Sequence, residues 1–246
     1  LKYHRQKQIT TILFFVNETK ISLRIIITSM SFETKIHPHH NTYIATGNSG
    51  EVIRSIYEAV EKVLSVPVRG NPDFWHGTFG QFGIDESRDL KAMSAMKPFG
   101  ERRVMIVETL TISTEAQQAI LKMAEELTAG SYFFLVVPSH DHILPTLRSR
   151  LVHIEHKGGE VVISDEARTF LSSNWKEREE LLSEMHKARD AQRAYILLSH
   201  IEHILVQKKA RGALSDVIDA KKRLLEGVVP MKTTLETVGL LLPKVN

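Results

Sequence analysis

Cysteine is absent from all 246 residues. Disulfides, thiolate zinc sites and cysteine nucleophiles are therefore excluded. Missing too is any apolar run near the roughly 20 residues that a membrane-spanning helix needs. No membrane role is expected, and a cytoplasmic setting is. A basic surplus is lacking as well, once its source is traced. The chain carries +3 overall, with 32 Lys/Arg against 29 Asp/Glu. Five of those basic residues and one acid fall in residues 1–29, so residues 30–246 hold 27 basic and 28 acidic side chains, a net of −1. Net charge gives no argument for nucleic-acid binding there, which leaves only local basic patches.

Residues 1–29 stand apart in character. Lys2, Arg5 and Lys7 precede a short apolar run at residues 9–16, superficially like a secretory signal, but no small-residue cleavage site follows. The first recognisable element comes after Met30. The expectation is that Met30 is the natural start and that residues 1–29 are upstream read-through.

The chain as a whole has ordinary globular composition, 42% hydrophobic and 25% charged, enough for one or two domains. Strand-like and helix-like signals alternate from Tyr43 to about Ile154. Ile53, Ile56, Tyr57, Val60 and Leu64 recur at helical spacing. Pro67, Gly70 and Pro72 punctuate a loop, and Arg88, Leu90, Met93 and Met96 suggest a short helix stopped by Pro98-Phe99-Gly100. Continuous apolar runs at residues 104–107 and 132–137 are expected to be strands buried on both faces. Between them Ala116, Ile120, Met123 and Leu127 mark a helix, with Thr114 and Gln117 at capping-box spacing. Leu151-Val152-His153-Ile154 is the last strand expected. Such alternation implies an α/β domain with a parallel sheet covered on both faces.

Beyond Gly158-Gly159 the strand signals stop. Ser164 and Asn174 are candidate helix caps, and Tyr195, Leu198, Ile201 and Leu205 fall in phase on a long helix. Leu214, Val217, Ile218, Leu224 and Leu225 mark another, and Leu235, Val238, Leu241 and Leu242 the last. The expected organisation is a doubtful extension at 1–29, an α/β domain at 30–157, a linker at 158–164 and an all-helical domain of four or five helices at 165–246.

The stretch G-N-S-G-E-V-I-R-S-I, residues 47–56, follows a strand-like run and enters a helix, the context of a phosphate-binding loop. Such a loop needs a lysine for the outer phosphates and a hydroxyl for magnesium. Gly47 and Gly50 remain, but Val52, Ile53 and Arg54 stand where glycine, lysine and hydroxyl belong. A valine Cβ at that point is expected to crowd the backbone approach. The run at 104–107 is expected to end at Glu108-Thr109, where a magnesium-holding acid would need a second acid beside it to orient water. Glu108 fills the first role and Thr109 cannot fill the second. Two parts of one nucleotide site are degraded together, so no cofactor is expected.

Pro145-Thr146-Leu147-Arg148-Ser149-Arg150-Leu151 keeps its polar residues, at an expected exposed boundary between a short helix and a strand. Guanidinium geometry there suits a phosphoryl group on another molecule, while the bland alternative is solvated surface. Histidines cluster at His37/His39/His40, His140/His142, His153/His156 and His200/His203 without the i, i+4 pairing and acid of a zinc signature, so no metal is expected. Glu125-Glu126 and the basic groups Lys208-Lys209-Arg211 and Lys221-Lys222-Arg223 are expected to be solvated faces, the basic groups also suiting nucleic-acid phosphates.

Read together, these segments resemble the delta-prime subunit family of the bacterial DNA polymerase III clamp loader, AAA+ proteins related to gamma/tau. Asn71-Pro72-Asp73-Phe74 is similar to the family's H-P-D segment, and residues 84–90 to its I-x-x-x-R-x-L helix. Residues 116–126 are similar to A-Q-N-A-L-L-K-x-x-E-E, and residues 145–150 to P-T-I-x-S-R-C with Leu151 in place of cysteine. The resemblance implies a P-loop NTPase-like AAA+ domain followed by a helical collar that oligomerises. It also implies an inert subunit in which Arg150, beside Ser149, is the finger completing a neighbour's ATP site. The implied partners are the gamma/tau ATPase and delta subunits, with the sliding clamp and primer-template DNA reached through the complex. The four-cysteine zinc module is missing between Val66 and Asp73, and residues 154–165 are too few for a full three-helix lid. Two other readings stay open: a weak nucleotide-binding ATPase using Arg54 and Glu108, and a nucleic-acid-binding module outside any clamp loader.

Overall fold

A computed structural model describes Ile36 and residues 40–47, 49–155, 163–227 and 229–244. The readings on residues 1–29, on most of the 158–164 linker and on His37, His39 and His156 lie outside the described residues.

Five strands form one parallel sheet: β1 (Thr42–Thr46), β2 (Phe74–Phe82), β3 (Arg103–Ile112), β4 (Ser131–Val137) and β5 (Val152–Glu155). Their order across the sheet is β2-β3-β4-β1-β5. β1 and β4 are buried along their whole length, which explains the apolar residues that make up most of each. Alternate residues serve opposite faces. Tyr43, Ala45, Ile106 and Phe134 pack with Val52, Ile56, Ala59 and Val60 of α1 (Ser49–Lys62). Ile44, Met105, Val107, Phe133 and Leu135 pack with residues of α2 (Ile84–Ala95), α3 (Thr114–Glu126) and α4 (Pro145–Arg148). The α/β sheet expected from the alternation is what forms.

Two details differ from the expected ones. β2 carries no strong strand signal, because F-W-H-G-T-F-G-Q-F places two glycines in a half-exposed edge strand. A Cβ on Gly77 would lie 2.5 Å from the Trp75 ring and 2.7 Å from that of Phe79, so the two aromatics close over a position only glycine fits. The cap of α3 is Ser113, whose hydroxyl accepts from Ala116 N, one residue ahead of the expected Thr114. Gln117 is instead buried: its amide donates to Ile112 O (3.3 Å) and His142 O (3.0 Å) and accepts from Leu144 N (2.7 Å). A side chain that reads as a helix cap therefore ties α3 to the loop ahead of α4.

Asp73 and Arg103 brace the end of the sheet where β2 and β3 begin. Asp73, 3% exposed, accepts from Phe99 N (3.0 Å), Gly100 N (2.7 Å) and Arg103 Nη2 (3.1 Å). Burial alone would push its carboxyl up, but the two backbone donors and the guanidinium outweigh that and hold it below the usual carboxylate range. Arg103 also donates to the carbonyls of Met93, Met96 and Lys97. One buried pair thereby satisfies the end of α2 and the turn into β3.

Five helices follow: α5 (Asp165–Ser172), α6 (Trp175–Ala188), α7 (Ala191–Gln207), α8 (Arg211–Glu226) and α9 (Met231–Leu241). Ser164 caps α5, and Asn174 with Glu177 forms a capping box on α6, as the sequence suggests. Phe170, Leu182, Leu198, Ile201, Leu205, Val217, Leu235 and Val238 fill a second core. Two residues expected on buried faces turn outward, Ile218 (46% exposed) and Leu241 (55%). Arg178 sits within this core at 4% exposure, and among the described residues it pairs with no carboxylate. Its guanidinium donates to the carbonyls of Phe170 and Leu171 in α5 and of Gly239, Leu242 and Pro243 around the end of α9. It thus caps two helix C-termini at once, where the helix dipoles favour a cation.

Arg178→Met is expected to destabilise the protein by on the order of 3 kcal/mol, because five carbonyls lose their donor together. Arg178→Lys should recover less than half, since an ammonium has three donors and no planar fork. Urea denaturation measures both; a loss below about 1 kcal/mol for Arg178→Met would contradict the double-cap reading.

Candidate functional site

In an open α/β sheet the natural ligand position lies past the strand C-termini, where the chain reverses direction across the sheet. A cavity of about 530 Å³ occupies that place. Gly47, Ser49 and Gly50 form one wall, Glu108, Val136 and Val137 the floor, and α7 with Lys221 of α8 the roof. The phosphate-loop-like stretch does lie here. Its geometry, however, differs from a loop that wraps phosphate. β1 ends at Thr46 and α1 begins at Ser49, leaving residues 47 and 48 as the whole connection. Gly47 takes φ 140°, which favours glycine and makes the bend.

Val52 corrects an expectation. It is fully buried against the sheet, so its side chain turns away from the cavity rather than crowding it. Ile53 also packs toward that core, while Arg54 is exposed on the cavity side.

Glu108 is the centre of the site, and its setting corrects a second expectation. β3 does not end there: it continues to Ile112, with Thr109 paired to Phe79 and Ile112 to Phe82 of β2. The Glu108 carboxylate is filled by protein donors on both oxygens. Oε1 accepts from the Ser49 hydroxyl and from Gln192 Nε2 (2.7 Å). Oε2 accepts from His76 Nε2 (3.1 Å) and Thr78 Oγ1 (3.3 Å). His76 Nδ1 lies 2.8 Å from the Tyr57 hydroxyl, so the tautomer with its proton on Nε2 satisfies both neighbours. Burial would raise the Glu108 carboxyl, but the hydrogen bonds from His76, Ser49 and Thr78 hold it below the usual range. Thr109, 1% exposed, donates its hydroxyl to Thr111 O (2.7 Å) and takes no part.

Sequence reasoning did not find Ser49, Tyr57, His76, Thr78 or Gln192 as members of this cluster. The donors lie up to 84 positions from Glu108, and only the strand register and the packing of α7 bring them together. Lys221, expected on a solvated face, instead pairs with Glu202 (2.6 Å) and lies 4.9 Å over the Tyr195 ring. Glu51, Glu108 and Glu202 face the cavity against Arg54 and Lys221, so its lining presents no positive field suited to a triphosphate.

Arg150 stands at the other end of the sheet. Thr42 Oγ1, at the start of β1, donates to Arg150 O (3.2 Å), whereas Gly47 follows the end of β1. The five residues of β1 separate the two by roughly 15 Å, beyond the reach of a side chain. Ser149 closes α4 and donates its hydroxyl to Thr146 O (2.9 Å), and both residues are exposed. The Arg150 guanidinium is 57% exposed and donates through Nε to Glu125 Oε1 (3.2 Å). Glu126 lies 4.0 Å from Lys91 instead, so the acid pair taken for a solvated face has two separate partners. No group of three or more histidines and acids that could hold a metal occurs among the described residues.

Glu108→Gln is expected to lower stability by about 2 kcal/mol at neutral pH, because a carboxamide offers its donors one acceptor oxygen and adds an NH₂ facing donors. The depressed carboxyl contributes stability present above the unfolded-state value of about 4.3 and lost as pH falls through its folded value. Urea titrations near pH 7 and pH 3 should therefore show the gap between wild type and variant closing on acidification. An equal gap at both would show that the charge of Glu108 is not involved.

Comparison with known proteins gives a family and a fold. The family model described as DNA polymerase III, delta subunit, matches residues 12–158, a span that reaches back into residues 1–29. No curated protein matches. Among solved structures, a DNA polymerase III gamma subunit-related protein from Thermotoga maritima superposes with a TM-score of 0.51 at 14% identity, covering 89% of this chain and 97% of that one. The clamp loader delta protein of Bacillus subtilis gives a TM-score of 0.38 at 16% identity, covering 90% and 63%. The likeness to the Thermotoga protein is one of fold, an AAA+ sheet followed by helices. With its match running through all five strands, this chain belongs to the DNA polymerase III delta-subunit family of clamp-loader proteins.

Proposed function

We propose that the chain is a catalytically silent, delta-prime-like clamp-loader subunit that donates Arg150 to the ATP site of a neighbouring subunit. The observation that carries this reading is the placement of Arg150. It is exposed, and it lies at the opposite end of β1 from the chain's own cavity. An arginine so placed serves a phosphoryl group on another molecule or none. Silence is supported by the other end of the sheet. The connection after β1 is two residues, no lysine stands in it, and the acid of β3 has both oxygens filled by protein donors. A magnesium ion would have to displace at least one of those donors.

On this reading the partners are a gamma/tau-type ATPase and a delta subunit, in a cytoplasmic complex that acts on the sliding clamp and primer-template DNA. The helical half, α5 to α9, is the collar through which the subunits oligomerise. Among the described residues no helix is long and apolar enough to cross a membrane.

A second reading is kept alive by the cavity itself, whose volume suits a small ligand and whose wall includes Arg54. Its charge balance argues against a triphosphate. Calorimetry with ATP and magnesium separates the two: the isolated chain should show no binding, and a micromolar affinity would overturn the silent reading. For the donated arginine, Arg150→Ala should leave assembly with the ATPase intact and lower the neighbour's DNA-stimulated turnover by on the order of a hundredfold. Unchanged turnover would remove that role.

A further inference from the structure

Resting on that reading, we infer that Glu125 is a positioning residue for Arg150, orienting the guanidinium it presents to the neighbour. Three observations carry this. The backbone at Arg150 is already held: its N–H donates to Leu147 O (3.0 Å), its carbonyl accepts from Thr42, and Leu147 and Leu151 on either side are buried. Only the side chain is left to be placed. Glu125 Oε1 takes Nε alone, and among the described residues Nη1 and Nη2 have no hydrogen-bond partner. Binding at Nε restrains the guanidinium while leaving its two terminal NH₂ groups available, the pair that grips two phosphate oxygens.

The third observation concerns α3. Glu125 lies in its last turn, which holds no basic residue and where the helix dipole disfavours a carboxylate. The acid does not serve the helix, and its partner among the described residues is Arg150. The helix is itself held firmly. Gln117 bridges it to the loop before α4, and Ile120 and Met123 pack in the same core as Leu147. Glu125 and Arg150 therefore stand on one rigid platform, as a positioning contact requires.

The test uses the complex reconstituted with its ATPase partner, measuring kcat and KM for ATP with this chain as wild type, Glu125→Ala, Glu125→Gln, Arg150→Ala and the double variant. A contact between two half-exposed groups is modest, so Glu125→Ala should lower kcat about fivefold with KM unchanged. Glu125→Gln, which keeps an acceptor oxygen, should restore at least half of that. In the Arg150→Ala background, Glu125→Ala should change nothing further. If Arg150→Ala lowers turnover and Glu125→Ala does not, the positioning role is overturned and the donated arginine stands. A Glu125→Ala loss that persists without Arg150 would show a structural role instead. If Arg150→Ala itself has no effect, the reading beneath the inference fails.

Discussion

The carboxylate of Glu108 is the point on which both halves of this molecule depend. A charge buried in a sheet is costly unless every lone pair direction is used, and here α1, β2 and α7 each bring donors to it. The acid position of β3 is the one that, in an active AAA+ site, would face magnesium. In this chain one of its oxygens, Oε1, holds both Ser49 at the head of α1 and Gln192 at the start of α7. The residue that could have served chemistry instead joins the sheet to the helices that roof it. On the proposed reading, the missing lysine and the occupied acid go together, because a carboxylate with no cation to hold must be satisfied by the protein.

The sheet has two ends with different fates. At the C-terminal ends of the strands Glu108 is filled by protein donors and Lys221 pairs with Glu202. Near the start of β1, Arg150 is exposed on a braced backbone. On the proposed reading the chain keeps the AAA+ framework for what it places at that second end. A rigid sheet is needed to hold one guanidinium at a subunit boundary, whether or not it binds a nucleotide of its own.

Much of this was legible in the sequence, for identifiable reasons. β1, β4 and the core of β3 are buried on both faces and so show as mostly apolar runs, and Ser164 and Asn174 cap helices by local chemistry that spacing reveals. β2 was not legible, because an edge strand that closes Trp75 and Phe79 over Gly77 has the composition of a loop. Val52 pointed the wrong way in a motif alignment because α1 starts at Ser49 and turns that position into the core. The Glu108 cluster and the Glu125–Arg150 pair join residues 19 to 84 positions apart. Nothing local in Gln192 or Glu125 announces such contacts; they follow from strand order and from how the helices pack on the sheet.

The central claim is that the nucleotide this chain serves belongs to a neighbour. The most direct measurement is the structure of the chain assembled with its ATPase partner and a non-hydrolysable ATP analogue. Nucleotide is expected in the partner's site with the Arg150 guanidinium within hydrogen-bond distance of its terminal phosphate, and none above Ser49. Nucleotide bound between Gly47 and α7, or an Arg150 turned away from every bound phosphate, would contradict it.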